Sequence, residues 1–369
     1  MCDPFERVRE LLVAAVEAHA FPAACLEVGR RDGSRWSTAA GALTYHPYAP
    51  LATLDTIFDL ASLTKVIATA TLAMRGVDAG RISLDDPLAR WLRDWRGLDR
   101  EDVTLRHLLT HSSGLSAYLP LYRDYTGRHE FETAICQLPL EYAPDTASIY
   151  SDLGFMLLAF VLEDAAGKGA ADADAHAIFD PAASLAQQFH RLASFITVEP
   201  LTFNPPRTWR PLCAPTEIDH WRGRLLTGEV HDENCWALGG AAGHAGLFGT
   251  VTAVGAFARA VLRNLAGEAI LAQPSTLRAF AQRGDVAGSS RALGWDTMLP
   301  TSSCGTRLAR SAIGHTGFTG TSLWIDWEND LYVVLLTNRV HPTRENNAIR
   351  AIRPLVHDAV VEIMGSGPK

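Results

Sequence analysis

Lysine is almost missing from this sequence. Among its 33 basic residues only Lys65, Lys168 and Lys369 are lysine, and the other thirty are arginine. An excess of positive charge is also missing. The net charge of −8 excludes a protein that grips nucleic acid through a basic face. No long apolar run exists. The longest, Phe155 to Leu162, falls far short of the roughly 20 residues needed to cross a bilayer. The six cysteines (Cys2, Cys25, Cys136, Cys213, Cys235 and Cys304) are scattered, without a C-x-x-C pair, which argues against a zinc motif or a disulfide framework. Met1 to Glu6 offers no basic stretch ahead of an apolar one, so the chain reads as cytoplasmic, or as periplasmic if a leader has been trimmed. What remains is 47% hydrophobic and 20% charged, ample for a soluble core. The 369 residues allow two domains, or one with an insertion.

The scarcity of lysine gives Lys65 its meaning. It lies in Ser62-Leu63-Thr64-Lys65, ahead of Val66, Ala70, Ala73 and Met74, which are apolar at helical intervals. A helix starting there carries Ser62 in its first turn, and residues three apart share a face. The positive end of the helix dipole favours an oxyanion on that serine. Arginine cannot give up its proton, whereas a buried lysine can. The pair therefore reads as a nucleophile with an amine beside it, against the plainer alternative that Ser62 only caps a helix.

Along the chain, Asp3-Pro4-Phe5-Glu6 predicts a helix start with Asp3 as cap and Glu6 closing a capping box. The helix carries Phe5, Val8, Leu12, Ala15 and Val16 and ends at Phe21-Pro22. Cys25–Arg30 and Arg35–Ala40 predict strands around the turn Asp32-Gly33. Gly80 closes the Ser62 helix. Leu105–Leu109, Leu153–Ala165 and Val251–Leu265 predict helices. Residues 167–177, GKGAADADAHA, read as a surface loop or mobile segment, and Pro205–Thr227 has no assignable pattern. Strands return at Leu293–Leu299, Ala312–Thr316, Ser322–Asp326 and Leu331–Asn338, the last two joined by a turn at 327–330. A final helix carries Ile349, Ile352, Leu355, Val356, Ala359 and Ile363, with Pro354 as a kink or as the true start. Strands at both ends and helices between predict one antiparallel sheet built from both termini, with residues 1–75 and 286–369 as an α/β domain and 76–285 as an inserted, mostly helical domain.

Two further elements complete a pattern: Tyr150-Ser151-Asp152 before the Leu153 helix, and His315-Thr316-Gly317-Phe318 at a strand end. In this order, Ser-x-x-Lys, Tyr-Ser-Asp and His-Thr-Gly resemble the serine β-lactamase-related, penicillin-recognising superfamily. It includes class C β-lactamases, D-Ala-D-Ala carboxypeptidases, D-aminopeptidases and family VIII carboxylesterases. Leu108 to Leu115 and Gly243-His244-Ala245-Gly246-Leu247 resemble two more of its segments, so the likeness covers nearly the whole chain. It implies a β-lactamase/transpeptidase-like α+β fold, in which helices flank the sheet in three layers and the active site lies in the cleft beside the helical domain. It further implies Ser62 as the acylated nucleophile, with Tyr150 and Lys65 sharing the proton work. The backbone N–H groups of Ser62 and Phe318 would form an oxyanion hole, and His315, Thr316 and Gly317 a substrate-binding strand edge.

Two positions depart from the lactamase pattern. His315 stands where lactamases carry lysine, and a neutral imidazole grips a carboxylate weakly. Asp152 stands where asparagine is usual. It cannot donate to an amide carbonyl, but it can hold Lys65 charged and leave Tyr150 as base. Tyrosine, with a free pKa of about 10, needs cationic neighbours for that role. A metal at His107 and His111, or at His231-Asp232-Glu233-Asn234, is a weaker reading than loop packing. The glycines from 240 to 249 do not form a nucleotide-binding loop.

The expectation is a serine hydrolase that cleaves an amide, ester or lactam in a small molecule or short peptide, without metal or cofactor. An esterase or D-amino-acid peptidase is favoured over an efficient class C-like β-lactamase. The alternative outside enzymes is a non-catalytic penicillin-recognising sensor or scaffold.

Overall fold

The computed structural model describes residues 3–167 and 183–365. The acidic stretch 168–177 lies outside the described residues. A six-stranded antiparallel sheet contains β1 (Ala23–Gly29), β2 (Arg35–Gly41), β3 (Asp296–Thr297), β4 (Ile313–Thr316), β5 (Ser322–Asp326) and β6 (Leu331–Thr337). Their spatial order is β2-β1-β6-β5-β4-β3. The first strand therefore lies beside the last, with Cys25 opposite Leu336, and the two ends of the chain share one sheet.

Both central strands are buried along their whole length, so each strand serves two cores through the two-residue alternation of side chains. On one face, Leu26, Val28, Val333 and Leu335 join Val8, Leu12, Val356 and Val360. These come from helices α1 (Glu6–Glu17) and α5 (Ile349–Gly365). On the other face, Cys25, Tyr332, Val334 and Leu336 join Phe257 and Val261 of helix α4 (Val251–Leu265). The sheet thus separates two helical layers. Helix α4, which the sequence division groups with the middle segment, lies directly on the sheet. Several of the remaining helices pack around α3 (Asp152–Gly167), whose residues from Leu153 to Leu162 are all buried.

Several local expectations are corrected. The capping box at α1 does not form: Asp3 accepts the Phe5 N–H at 3.0 Å, but Glu6 is drawn to Arg9 at 2.7 Å. That helix stops at Glu17, ahead of Phe21-Pro22, with His19 in the left-handed region at φ 55°. Strand β3 covers two residues of the predicted Leu293–Leu299. The final helix starts at Ile349, so Pro354 lies inside it and does not mark its start. The unassigned Pro205–Thr227 stretch contains a 3₁₀ turn at Arg207–Leu212 and a ribbon of Ile218–Asp219 with Arg224–Leu225. Among the described residues no helix is long and apolar enough to cross a membrane.

One charge is sealed between sheet and helix. Glu27 of β1 is 0% exposed. Its Oε1 accepts from the Tyr332 hydroxyl at 2.7 Å and from Arg259 Nη1 at 2.9 Å. Gly255 lets α4 approach, since a Cβ there would meet Glu27 Oε1 at 1.8 Å. Removing one partner of a buried pair strands the other charge. Arg259→Met is expected to lower stability by about 3 kcal/mol in urea unfolding, and adding Glu27→Gln should recover much of the loss.

Candidate active site

The site begins with the turn ahead of Ser62. Phe58–Asp59 forms a strand pair with Leu247–Gly249, which brings the glycine-rich segment against this turn. Asp59, buried, accepts the N–H of Ala61 at 2.8 Å and of His231 at 2.7 Å. The hydroxyls of Thr319 and Thr321 donate to the carbonyls of Asp59 and Leu60 at 2.7 and 3.0 Å. These bonds hold Ala61 at φ 46°, a left-handed conformation that disfavours a side chain bearing Cβ. The strain is retained where the chain must swing Ser62 into the cleft. Gly317 permits this close approach: a Cβ there would lie 2.1 Å from Thr321 Oγ1 and 2.6 Å from the Leu60 carbonyl.

After Ser62 the chain enters a π-helical stretch, Lys65–Ala70, which runs into α2 (Thr71–Asp78). Gly80, at φ 64°, closes it as the sequence predicts. The sequence pattern does not reveal the wider first turns. They begin at Lys65, in the segment that the sequence expectation makes catalytic, and π-helical turns are frequent at functional sites.

Lys65 is 0% exposed and uses all three of its protons. Its Nζ donates to Ser62 Oγ at 3.1 Å, to Asp152 Oδ1 at 2.6 Å and to the His244 carbonyl at 3.1 Å. Burial alone would depress its pKa, but Asp152 and Tyr150 outweigh that and hold it above the ordinary lysine range. The ammonium also lies 4.8 Å from the centroid of the Tyr150 ring.

Tyr150 lies against both partners. Burial pushes its pKa up, the Lys65 charge pulls it down, Asp152 pushes it up again, and hydrogen bonding to Lys65 and Ser62 pulls it down. The net direction is upward. The sequence expectation is that a cationic neighbour lets Tyr150 serve as base: the Lys65 contribution has that sign, but burial outweighs it. At neutral pH Lys65 is therefore an ammonium and Tyr150 a neutral phenol.

His315 directs Nδ1 to the Thr316 carbonyl at 2.8 Å, so Nδ1 carries the proton. Its buried Nε2 has no partner among the described residues. Burial, Arg291 and Lys65 hold its pKa well below the usual range, so it is neutral. Ser62, Tyr150, Asp152, His315, Thr316, Gly317 and Phe318 line one cleft of about 690 Å³, and Lys65 lies behind them. Phe318 is fastened from the rear by Arg339, which donates to its carbonyl at 2.8 Å and lies 4.5 Å from its ring centroid.

Sequence reasoning missed Arg291, whose guanidinium lies 5.0 Å from the Tyr150 ring centroid and faces the same cleft. One arginine among thirty carries no signal of this. The weaker metal readings dissolve into hydrogen bonds. His107 meets Asp145 at 2.9 Å, whereas His111 accepts the Ser151 N–H at 3.0 Å. His231 binds Glu217 and Asp232 binds His244, both at 2.9 Å. Glu233 pairs with Arg344 at 2.7 Å.

The sequence profile of the family described as Beta-lactamase matches residues 8–357. The chain belongs to the β-lactamase family. Within it, the chain is 30% identical over 322 residues to a protein of Escherichia coli (strain K12) that carries the name D-alanyl-D-alanine carboxypeptidase, covering 79% of this chain and 70% of that one. A protein of the same name from Salmonella agona (strain SL483) is 29% identical over 331 residues, 81% of this chain and 72% of that one. In fold, this β-lactamase-family chain is similar to unliganded simvastatin synthase (LovD) from Aspergillus terreus, with a TM-score of 0.74 at 20% identity over 100% of both chains. It is also similar to EstCE1, a hydrolase with promiscuous acyltransferase activity, with a TM-score of 0.74 at 21% identity over 97% of this chain and 98% of that one.

Asp152 raises the pKa of both Lys65 and Tyr150. In Asp152→Asn both pKa values therefore fall, and the alkaline limb of the pH dependence of kcat/KM is expected to move toward acid. An unmoved limb would contradict the role given to this carboxylate.

Proposed function

We propose that this protein is a serine hydrolase that acylates Ser62. The observation that carries the reading is the buried ammonium of Lys65, hydrogen-bonded to the Ser62 hydroxyl at 3.1 Å and to Asp152 at 2.6 Å. Because Asp152 keeps Lys65 charged, the proton acceptor for Ser62 is Tyr150 in its phenolate form, which the raised pKa keeps scarce at neutral pH and which gains as pH rises. Ser62 Oγ attacks the substrate carbonyl as its proton passes to the Tyr150 oxygen. The developing oxyanion meets the backbone N–H groups of Ser62 and Phe318, each such donor being worth about 3 kcal/mol of barrier. The phenol then returns the proton to the leaving group. Water, activated at the same oxygen, releases the acyl group.

The substrate is a small molecule or short peptide with an amide, ester or lactam bond. The neutral His315 lacks the fixed charge of a lysine, so efficient β-lactamase action is disfavoured relative to ester or D-amino-acid peptide cleavage. Arg291 supports a substrate bearing a carboxylate, in keeping with the name carried by the bacterial relatives.

A fluorophosphonate or fluorescent penicillin is expected to label the wild type and not Ser62→Ala. Hydrolysis of p-nitrophenyl esters or D-Ala-D-Ala peptides should exceed that of nitrocefin and fall by about four orders of magnitude in Ser62→Ala. A wild type that takes neither label nor substrate would favour the non-catalytic sensor.

A further inference from the structure

His111 has no part in the chemistry above, yet it touches the chain on both sides of Tyr150. It is 1% exposed and adopts φ 56°. Its side-chain Nδ1 accepts the Ser151 N–H at 3.0 Å. Its backbone carbonyl accepts the Ile149 N–H at 2.9 Å and the Tyr142 hydroxyl at 3.0 Å. Its ring packs 4.8 Å from the ring of Tyr150 and 5.1 Å from that of Phe155. The residue before the phenol, the residue after it and the phenol ring thus all rest on one imidazole-bearing residue.

We propose that His111 is the positioning residue for Tyr150, acting as a neutral imidazole whose Nδ1 lone pair sets the backbone at Ser151 and so holds the phenol between Ser62 and Lys65. The inference rests on Tyr150 serving as base in the proposed function. The tautomer follows from the geometry: an Nδ1 that accepts a backbone N–H leaves the proton on Nε2. Protonating the ring would turn two N–H groups against each other at Ser151. The groups that face it agree, since burial and the charges of Arg291 and Lys65 keep His111 well below the ordinary histidine range. The left-handed backbone narrows the replacements to those that tolerate it, asparagine among them.

The side-chain amides of asparagine and glutamine separate the two ring nitrogens. Asn Oδ1 stands as many bonds from Cα as His Nδ1, whereas Gln Oε1 reaches one atom further. His111→Asn is expected to keep kcat close to wild type with the alkaline limb unmoved. His111→Gln is expected to lose about 100-fold in kcat, the cost of a displaced reacting group, with KM little changed and the alkaline limb displaced. Thermal unfolding of both variants and acylation by a p-nitrophenyl ester would be followed together. Equal rates in the two folded variants, fast or slow, would overturn the proposal. Tyr150→Phe is assayed in parallel: if it acylates at the wild-type rate, the base itself is misassigned, whereas a slow Tyr150→Phe with equal Asn and Gln variants strikes only the role given to His111.

Discussion

A single buried ammonium organises this molecule. Lys65 is removed from water, and such a charge is tolerated only where paired and hydrogen-bonded. Its three acceptors come from three parts of the chain: the nucleophile turn, the start of α3 and the glycine-rich segment. Satisfying one cation therefore draws the segments carrying Ser62, Asp152 and His244 to one point. Asp152 does more than balance the charge. It favours the ammonium, and in the proposed mechanism this leaves the proton work to the phenol.

The surroundings supply rigidity. The left-handed Ala61 would relax if released, and Asp59, Thr319 and Thr321 prevent that with bonds to its N–H and to the two carbonyls before it. The same two threonines belong to the turn that presents Phe318, so the two proposed oxyanion donors are held to each other through short bonds. Arg339 closes the arrangement from behind. A site that must hold its donors in place before charge develops benefits from such bracing, because no reorganisation is then required during reaction.

The polar environment explains why residues of ordinary titration behave differently here. His111 and His315 are surrounded by ring faces, Arg291 and Lys65, and both are driven toward the neutral form by burial and by those cations. Each is left with one ring nitrogen engaged and one free among the described residues. Neutral imidazoles beside a cationic lysine add polarity without adding repulsion, which suits a cleft where Arg291 and Lys65 already lie close to both rings.

Much of this was legible in the amino-acid order. The Ser62-to-Lys65 spacing places two side chains on one helix face because helical geometry is local, and the rarity of lysine singled out Lys65 before any contact was known. The strands at 322–326 and 331–337, the closing Gly80 and the apolar α3 follow from period, turn residues and burial, all of which act over a few positions. Tertiary structure decided what depends on distance through space. The Tyr150 pKa rises because burial and Asp152 outweigh Lys65, a sum of opposed effects that no motif encodes. Arg291 and His111 matter only because the fold lays them against the Tyr150 ring. Short-range order in a chain fixes which groups can meet, but the dielectric and the charges around them exist only once the core has closed.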